Sequence, residues 1–594
     1  VFDIFIAFNQ LQLNESYDHI LNEKKNRDFP SKDILTDGLI IKCWSNKAEG
    51  LSIVETQDYI SLVYGDLVYR RSQSASESVP SHHEVNNLLE KPTGLVSTCQ
   101  GNYWIVNYHK TKNILRIQSN PLTTLPLYMA KYHNDTIICS NLLMLKSLGF
   151  KANIQVVFEV LLFNQPITLR TMLEGVNTIT PGLSYEFGSC EKTNSLYDIK
   201  EKIFEQGDNG LNLPELVEDF NYSVLSLSSS SEINLSSLTG GFDSRCVLSS
   251  LIKEKLPYHA FSFGRLGGPN TEKPLYAKSQ LGINYDPILL EREYEERYAY
   301  FADEAVTWSD GASVFERANY LYVADKLKEI SNSYLSGLIG GELFGPMTFH
   351  TTFCSKLYDD VFYKGNKFDF QYCFKGMGLD KFVRCPSQHI VESLEQTVLD
   401  YQREIQELRA RETGYMYSLY DFVKNGFRTF YGGQIHVERR YIHNKTPFYV
   451  TDIFERLMSS NHKRVFKKAF KSGAVSKRNN RLLQAQIILS NNPALASMPT
   501  DRGFAPSDVL SSFGQVKAGI SYMANRYKAK SREPEFTSAK WSKLYYDYIA
   551  SNGLSFDDTV FDNNKMKEFM KHYDMTKYSQ QFNRLLSVAR WLSM

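Results

Sequence analysis

Residues 233–245 read Ile233-Asn234-Leu235-Ser236-Ser237-Leu238-Thr239-Gly240-Gly241-Phe242-Asp243-Ser244-Arg245. An apolar run ends in hydroxyl side chains, two glycines and an Asp-Ser pair. Behind it comes the apolar periodicity of Cys246, Val247, Leu248, Leu251 and Ile252. That pattern predicts a strand, a glycine turn and a helix. Gly240 and Gly241 let the backbone approach a ligand closely. The first N–H groups of the following helix point into the same space, where the helix dipole also favours an anion. Thr239 and Ser244 add hydroxyl donors. Asp243 would repel a bare phosphate, so its presence argues for a bridging divalent cation, Mg²⁺ foremost. The plain alternative is a turn in which Asp243-Ser244 caps the helix; the whole string favours phosphate. A Walker A loop and a dinucleotide fingerprint are both absent.

Outward from this stretch, strand and helix patterns alternate to about residue 345, which predicts a parallel α/β sheet. From there to the end the chain reads as mostly helical. Its last segment sets Phe582, Leu585, Leu586 and Ala589 at i, i+3, i+4 and i+7, one apolar helix face turned to a core. On the other side, residues 191–230 join polar linker residues to the periodic Leu213, Leu216, Val217 and Phe220, a helix. The first 190 residues read mainly as β-structure, with β-branched and aromatic runs at 1–8, 38–44, 59–64, 103–108, 114–118 and 136–139. Residues 71–84 hold many serines and the pair His82-His83; with no third ligand nearby they read as a surface loop.

The chain has 594 residues, room for two to four domains at about 150 each. With 42% hydrophobic and 22% charged residues, a disordered chain is excluded. Lys and Arg number 67 against 66 Asp and Glu, a net charge of +1, so no nucleic-acid partner is expected. None of the eight cysteines has C-x-x-C spacing; reduced thiols in a cytoplasmic protein are expected. No apolar run reaches the ~18–20 residues of a membrane helix, so no membrane partner is expected. Residues 1–6 are apolar but lack a basic n-region and a cleavage site, and read as a strand.

The string Thr239-Gly240-Gly241-Phe242-Asp243-Ser244-Arg245 resembles the S-G-G-x-D-S pyrophosphate loop of the asparagine-synthetase-like ATP pyrophosphatases, which split ATP between the α and β phosphates. Thr239 replaces the first Ser and keeps its hydroxyl. Further landmarks fall in order. Residues 258–264 resemble the second sheet strand, which lines the adenine pocket in that family, and 277–283 the helix end before strand three. Residues 335–345 resemble the S-G-x-G-x-D-E-L-F-G loop, and Thr446-Pro447-Phe448 through Asp452 the P-F-L-D segment. Asn120-Pro121 through Tyr128, Cys139-Ser140-Asn141 and Gly175 through Gly182 resemble its N-terminal motifs.

The resemblance covers residue 1 to about 505. It implies an α+β, Ntn-hydrolase-like domain at 1–190 and an α/β parallel-sheet ATP pyrophosphatase (PP-loop) domain at 191–505. A helical segment at 506–594 would pack on the latter. It also implies ATP and Mg²⁺ as cofactors, with Ser237, Leu238, Thr239, Gly240, Gly241, Asp243, Ser244, Ser262, Phe263, Gly264 and Gly337 around the nucleotide.

Three departures qualify it. In asparagine synthetases the N-terminal domain is a glutaminase whose nucleophile is a Cys at position 1. Here that position is Val1 and the first cysteine is Cys43, so a degenerate glutaminase-like domain is implied. Another amine would then attack, as in β-lactam synthetase and lasso-peptide cyclases. In the 336–345 loop, direct alignment sets Gly341 at the family's metal-binding Asp; a shift of one residue offers Glu342 as the second carboxylate beside Asp243. The family's late Lys is missing from 498–504, where Arg502 is the only cation. The implied catalytic set is Asp243, Glu342 and Arg502, with Asp243 and Glu342 on the metal. The acid-free cationic run from Lys463 to Arg481 reads as a solvated helix face before a polyanion site. Asp310 in Trp308-Ser309-Asp310-Gly311 reads as a turn residue before a substrate contact.

The reading implies an ATP-dependent, AMP-forming carbon–nitrogen ligase in small-molecule natural-product biosynthesis, joining a small-molecule or peptide carboxylate to an amine. The alternatives are a lasso-type macrolactam cyclase, an asparagine synthetase using free ammonia, and a non-catalytic nucleotide-binding relative. The lack of paired reactive cysteines disfavours a sulfur-transfer enzyme. The oligomeric state stays open, a homodimer included.

Overall fold

A computed structural model describes residues 3–9, 17, 31–36, 38–45, 53–71, 97–205, 207, 210–230, 232–311, 315–344, 354–411, 416–462, 473–529, 538–553, 556–572 and 575–594. Helices combine with antiparallel sheets and one parallel sheet. The first six-stranded sheet runs in the order Val176–Thr178, Tyr128–Tyr132, Asp135–Cys139, Asp3–Phe8, Leu39–Trp44, Ser31–Thr36, all antiparallel. The second runs Lys192–Ser195, Leu183–Phe187, Ile114–Ser119, Tyr103–His109, Tyr59–Gly65, Ile53–Glu55.

Side-chain alternation decides how these sheets pack. Ile4, Ile6 and Phe8 join a buried cluster with Leu62, Trp104 and Ile117 of the second sheet. Phe5 and Ala7 point the other way, into a cluster with Val156 and Val160 of the helix Ile154–Phe163. Asp3–Phe8 is therefore covered on both faces, and no residue in it is more than 3% exposed. A strand buried on both sides reads as a continuous apolar run, which is how residues 1–8 read.

The β-runs expected at 38–44, 59–64, 103–108, 114–118 and 136–139 are all strands. Two edge strands carry no such signal. Ser31–Thr36 is exposed but for Ile34, and Lys192–Ser195, expected as linker, is exposed throughout. Backbone pairing holds them, and polar edges are where sheets tolerate polar side chains.

The parallel sheet runs Tyr285–Leu289, Tyr258–Gly264, Asn234–Ser237, Ser333–Leu335, His443–Lys445. Its last strand lies beyond the stretch where alternation was expected to stop, after a long helical passage. Three residues, His443-Asn444-Lys445, are too short and polar to announce a strand. In chain order the sheet reads 3-2-1-4-5. The order reverses between Asn234–Ser237 and Ser333–Leu335, and ligands in such sheets bind at the carboxyl ends of the strands at that reversal.

The final helix, Met575–Ser593, buries Phe582, Leu585, Leu586, Ala589 and Trp591. It packs on Arg292–Trp308 and Ser538–Ser551 and also reaches Ile154–Phe163. Lys146 Nζ donates to the carbonyls of Trp591 (2.9 Å) and Leu592 (2.6 Å), closing the helix end. Arg590 forks onto Asp303 at 2.7 and 2.9 Å. Trp591→Ala should cost about 3–5 kcal/mol of stability, read by urea unfolding, because a wholly buried indole leaves a cavity.

Candidate active site

The first loop at the reversal point begins at Leu238, whose buried N–H donates to the Phe261 carbonyl at 2.6 Å and extends the strand pairing. The turn is tied by hydroxyls. Thr239 N–H donates to Ser244 Oγ (3.1 Å), Thr239 Oγ1 and Ser244 Oγ share a hydrogen bond (3.0 Å), and Gly241 N–H donates to Thr239 Oγ1 (3.2 Å). The helix Asp243–Lys253 follows, with Phe242 as its N-cap and no side-chain cap bond. Asp243-Ser244 therefore does not serve as the cap that the plain turn reading requires.

Gly240 is a close-approach glycine. Its carbonyl accepts from Asp501 N–H at 3.3 Å, and a Cβ on Gly240 would stand 2.3 Å from Asp501 Cβ and 2.9 Å from its backbone nitrogen. The docked segment is a tight turn: Gly503 N–H donates to Thr500 O (3.0 Å) and Thr500 N–H to Phe504 O (2.9 Å). Arg245, buried in the helix, donates to Met498 O (2.6 Å) and Pro499 O (2.8 Å). Arg502 follows directly on Asp501 in this docked turn, and its charge reaches Asp243.

The second loop leaves Ser333–Leu335 and enters the short helix Gly340–Phe344. A Cβ on Gly337 would meet the Asp243 carbonyl carbon and the Ser244 nitrogen at 2.9 Å; one on Gly340 would meet Asp243 Oδ1 at 2.8 Å. Between them Ile339 sits buried with φ +68°, a strained conformation for a β-branched residue and one that clusters at functional sites. Glu342 Oε1 accepts from the Tyr431 hydroxyl at 2.9 Å, and Asp243 Oδ1 accepts from Gln484 Nε2.

Asp243, Glu342 and Arg502 are thus brought together. Burial, and then the charge of Glu342, push the Asp243 carboxyl up to about 7, against the pull of Gln484 and Arg502. Burial raises Glu342 as well, opposed by the Tyr431 hydroxyl. Two half-buried carboxyls in electrostatic contact are a donor set that a hard divalent cation relieves. Mg²⁺ is held by one or two carboxylates when phosphate and water complete its shell. Among the described residues no group of three or more His, Cys, Asp or Glu could hold a metal alone. The pair fits Mg²⁺ arriving with a phosphate ligand.

The shift of Asp243 has a stability consequence. Its folded value of about 7 lies above the ordinary 3.8, so the folded chain keeps this proton to higher pH than the unfolded chain. Without metal, its ionisation therefore erodes stability as pH rises from 3.8 towards 7, and levels off above. Asp243→Asn should flatten that slope in urea unfolding measured across the window.

The remaining expected nucleotide residues are less uniform. The Ser237 hydroxyl bonds to Tyr334. Ser262, on the neighbouring strand, is buried with its hydroxyl engaged by Tyr285 at 2.7 Å. Phe263 packs edge-on against Tyr320, and the Gly264 carbonyl accepts from Leu290 N–H. Asp310 is not at this site: it lines a separate pocket, left-handed at φ +54°, and accepts from Leu142 N–H at 2.8 Å. His82, His83 and residues 463–472 lie outside the described residues; Arg481 stands over the Phe504 ring.

Sequence reading missed Tyr431 and Gln484, which contact the two carboxyls, and Arg317 and Glu438 nearby. Arg317 donates to Gln434 Oε1 (2.6 Å) and lies 3.9 Å over Phe430. Burial pushes Glu438 up to about 7 while Gln434 and Asn444 donate to it. The available signal was Gly432-Gly433 inside a helical pattern. Gly432 ends the second of two π-helical turns, Phe422–Gly426 and Arg428–Gly432, an irregularity frequent at functional sites.

No protein-family profile and no curated protein matches the chain. Among solved structures it is similar to an allosteric regulatory enzyme of purine biosynthesis, and to a glutamine phosphoribosylpyrophosphate amidotransferase from B. subtilis complexed with ADP and GMP. Each is 10% identical with a TM-score of 0.24, the overlap covering 44% of this chain and 66% of the other. The chain thus spans just under two thirds of those proteins' length. Likeness of that degree fixes neither fold nor activity.

Proposed function

We propose that this chain is an ATP-dependent, AMP-forming amide-bond synthetase of the asparagine-synthetase-like, PP-loop type. The supporting observation is the meeting of Asp243 and Glu342, two half-buried carboxyls at the reversal point of a parallel sheet, beside a hydroxyl-tied glycine turn. On this reading a substrate carboxylate attacks the α-phosphorus of ATP, forming an acyl-adenylate. Pyrophosphate leaves into the 239–244 turn, whose N–H groups and hydroxyls are anion donors. Asp243 and Glu342 would hold Mg²⁺, which supplies positive charge against the departing pyrophosphate. Arg502, whose charge already reaches Asp243, stabilises the same developing charge. An amine then takes the acyl group and AMP departs. Positioning and charge stabilisation do most of the catalysis.

The amine is not released from glutamine on this reading. Cys43, Cys99 and Cys139 are all buried, and burial pushes the Cys43 thiol up to about 11, far from a reactive thiolate. A small-molecule carboxylate is the first choice of substrate and a peptide closed into a macrolactam the second. ATP–pyrophosphate exchange tests this, run with Mg²⁺ against small-molecule and peptide fractions of host extract separately. Exchange supported by one fraction supports the assignment and names the substrate class. No exchange with either fraction, together with release of ADP and phosphate, sinks it.

A further inference from the structure

A second pocket lies apart from Asp243. It sits where the strand Tyr128–Tyr132 and the helix Ile154–Phe163 meet the π-helical turn Arg428–Gly432 and the bend at Asp310. Its volume is about 60 Å³. A water takes about 30 Å³ in the liquid, so the space suits one small ion or a very short molecule. Much of the wall is apolar, with Pro126, Leu142, Met172 and Trp308 contributing.

Nearly every polar group facing it has a partner. Arg170 donates to Glu159 at 2.8 Å, and Thr429 Oγ1 to Gln165 Oε1 at 3.0 Å. His436 lies between the Tyr64 hydroxyl (2.9 Å) and Asp3 Oδ1 (3.3 Å). Asp310 takes the Leu142 N–H and the Tyr128 hydroxyl. Burial pushes the Asp310 carboxyl up to about 8, so near neutrality it is mostly the uncharged acid.

Arg428 is the exception. Its guanidinium makes no hydrogen bond to any described residue, and its Nε is buried without a partner. Among the described residues it forms no ion pair, and the titratable group whose charge bears on it is the Tyr128 phenol. A guanidinium with its Nε buried, facing an apolar pocket without a counter-ion, is costly, and a fork of N–H donors is the side chain best shaped for a carboxylate. We propose that Arg428 and this pocket form a binding site for one small monovalent anion, a short carboxylate or an ion of like size. The same π-helical turn carries Tyr431, which holds Glu342, so an anion on Arg428 is positioned to bias the candidate active site. The binding itself does not depend on the proposed activity.

The test uses the full chain. Calorimetric titration with sodium formate should give saturable binding of one formate per chain, weakened at least tenfold in Arg428→Met and less in Arg428→Lys. A wild-type crystal soaked in sodium bromide should show an anomalous peak in contact with the guanidinium. Absence of saturable formate binding, equal binding by wild type and Arg428→Met, or no bromide at Arg428 would each overturn the proposal. Should Arg428→Met fail to fold, the wild-type bromide crystal decides alone.

Discussion

Asp243→Asn should abolish AMP and pyrophosphate formation while leaving the fold intact. Asparagine fills the same space beside Gly340 and Gln484, so packing at this point is nearly unchanged. What disappears is the charge that would hold a divalent cation next to Glu342. Such a cation supplies several kcal/mol of transition-state stabilisation, which at about 1.4 kcal/mol per decade is on the order of a thousandfold in rate. Removing this carboxylate also removes the burial cost of its charge and, after it, the repulsion with Glu342, so the variant without metal should be at least as stable as the wild type above neutral pH. Loss of turnover with retained or improved stability separates a site residue from a structural one.

Gly240→Ala should cost about a hundredfold in kcat and about 1–3 kcal/mol of folding stability. The added methyl would stand 2.3 Å from Asp501 Cβ, so the 500–504 turn must move away and carry Arg502 with it. A displacement of about 1 Å at a positioning group costs on the order of a hundredfold. Gly241→Ala is the folding control, since its Cβ meets only the Thr239 hydroxyl at 3.4 Å, and its thermal midpoint should stay at the wild-type value. Steady-state rates of the three proteins, beside their thermal midpoints, check the order.

The site was legible where chemistry is written locally. The residues of 233–245 are contiguous, and each type bears on one loop, so strand, turn and helix fall where periodicity and glycines put them. Glu342 was offered only by a shift of alignment, because Gly341 occupies the position where a carboxylate would be sought; close approach to Asp243 Oδ1 explains the glycine at 340. Tyr431 and Gln484 were not legible at all. They reach the carboxyls from helices far along the chain, and nothing in a lone Tyr or Gln marks the contact before the fold is known. The strand His443–Lys445 failed for another reason, being three residues held by backbone pairing to Ser333–Leu335 rather than by an apolar pattern. Asp310 was legible as local backbone. The favoured reading as a turn residue holds, since Asp310 sits left-handed in a turn, buried and accepting from Leu142 N–H, while the lesser reading as a substrate contact does not meet Asp243.

The most direct test of the central claim is identification of the nucleotide products from Mg-ATP by the wild-type chain and by Asp243→Asn, with a carboxylate that supports pyrophosphate exchange. AMP and pyrophosphate in equal amounts from the wild type, and neither from the variant, are the predicted result. ADP and phosphate as products, or an undiminished rate in Asp243→Asn, would contradict it.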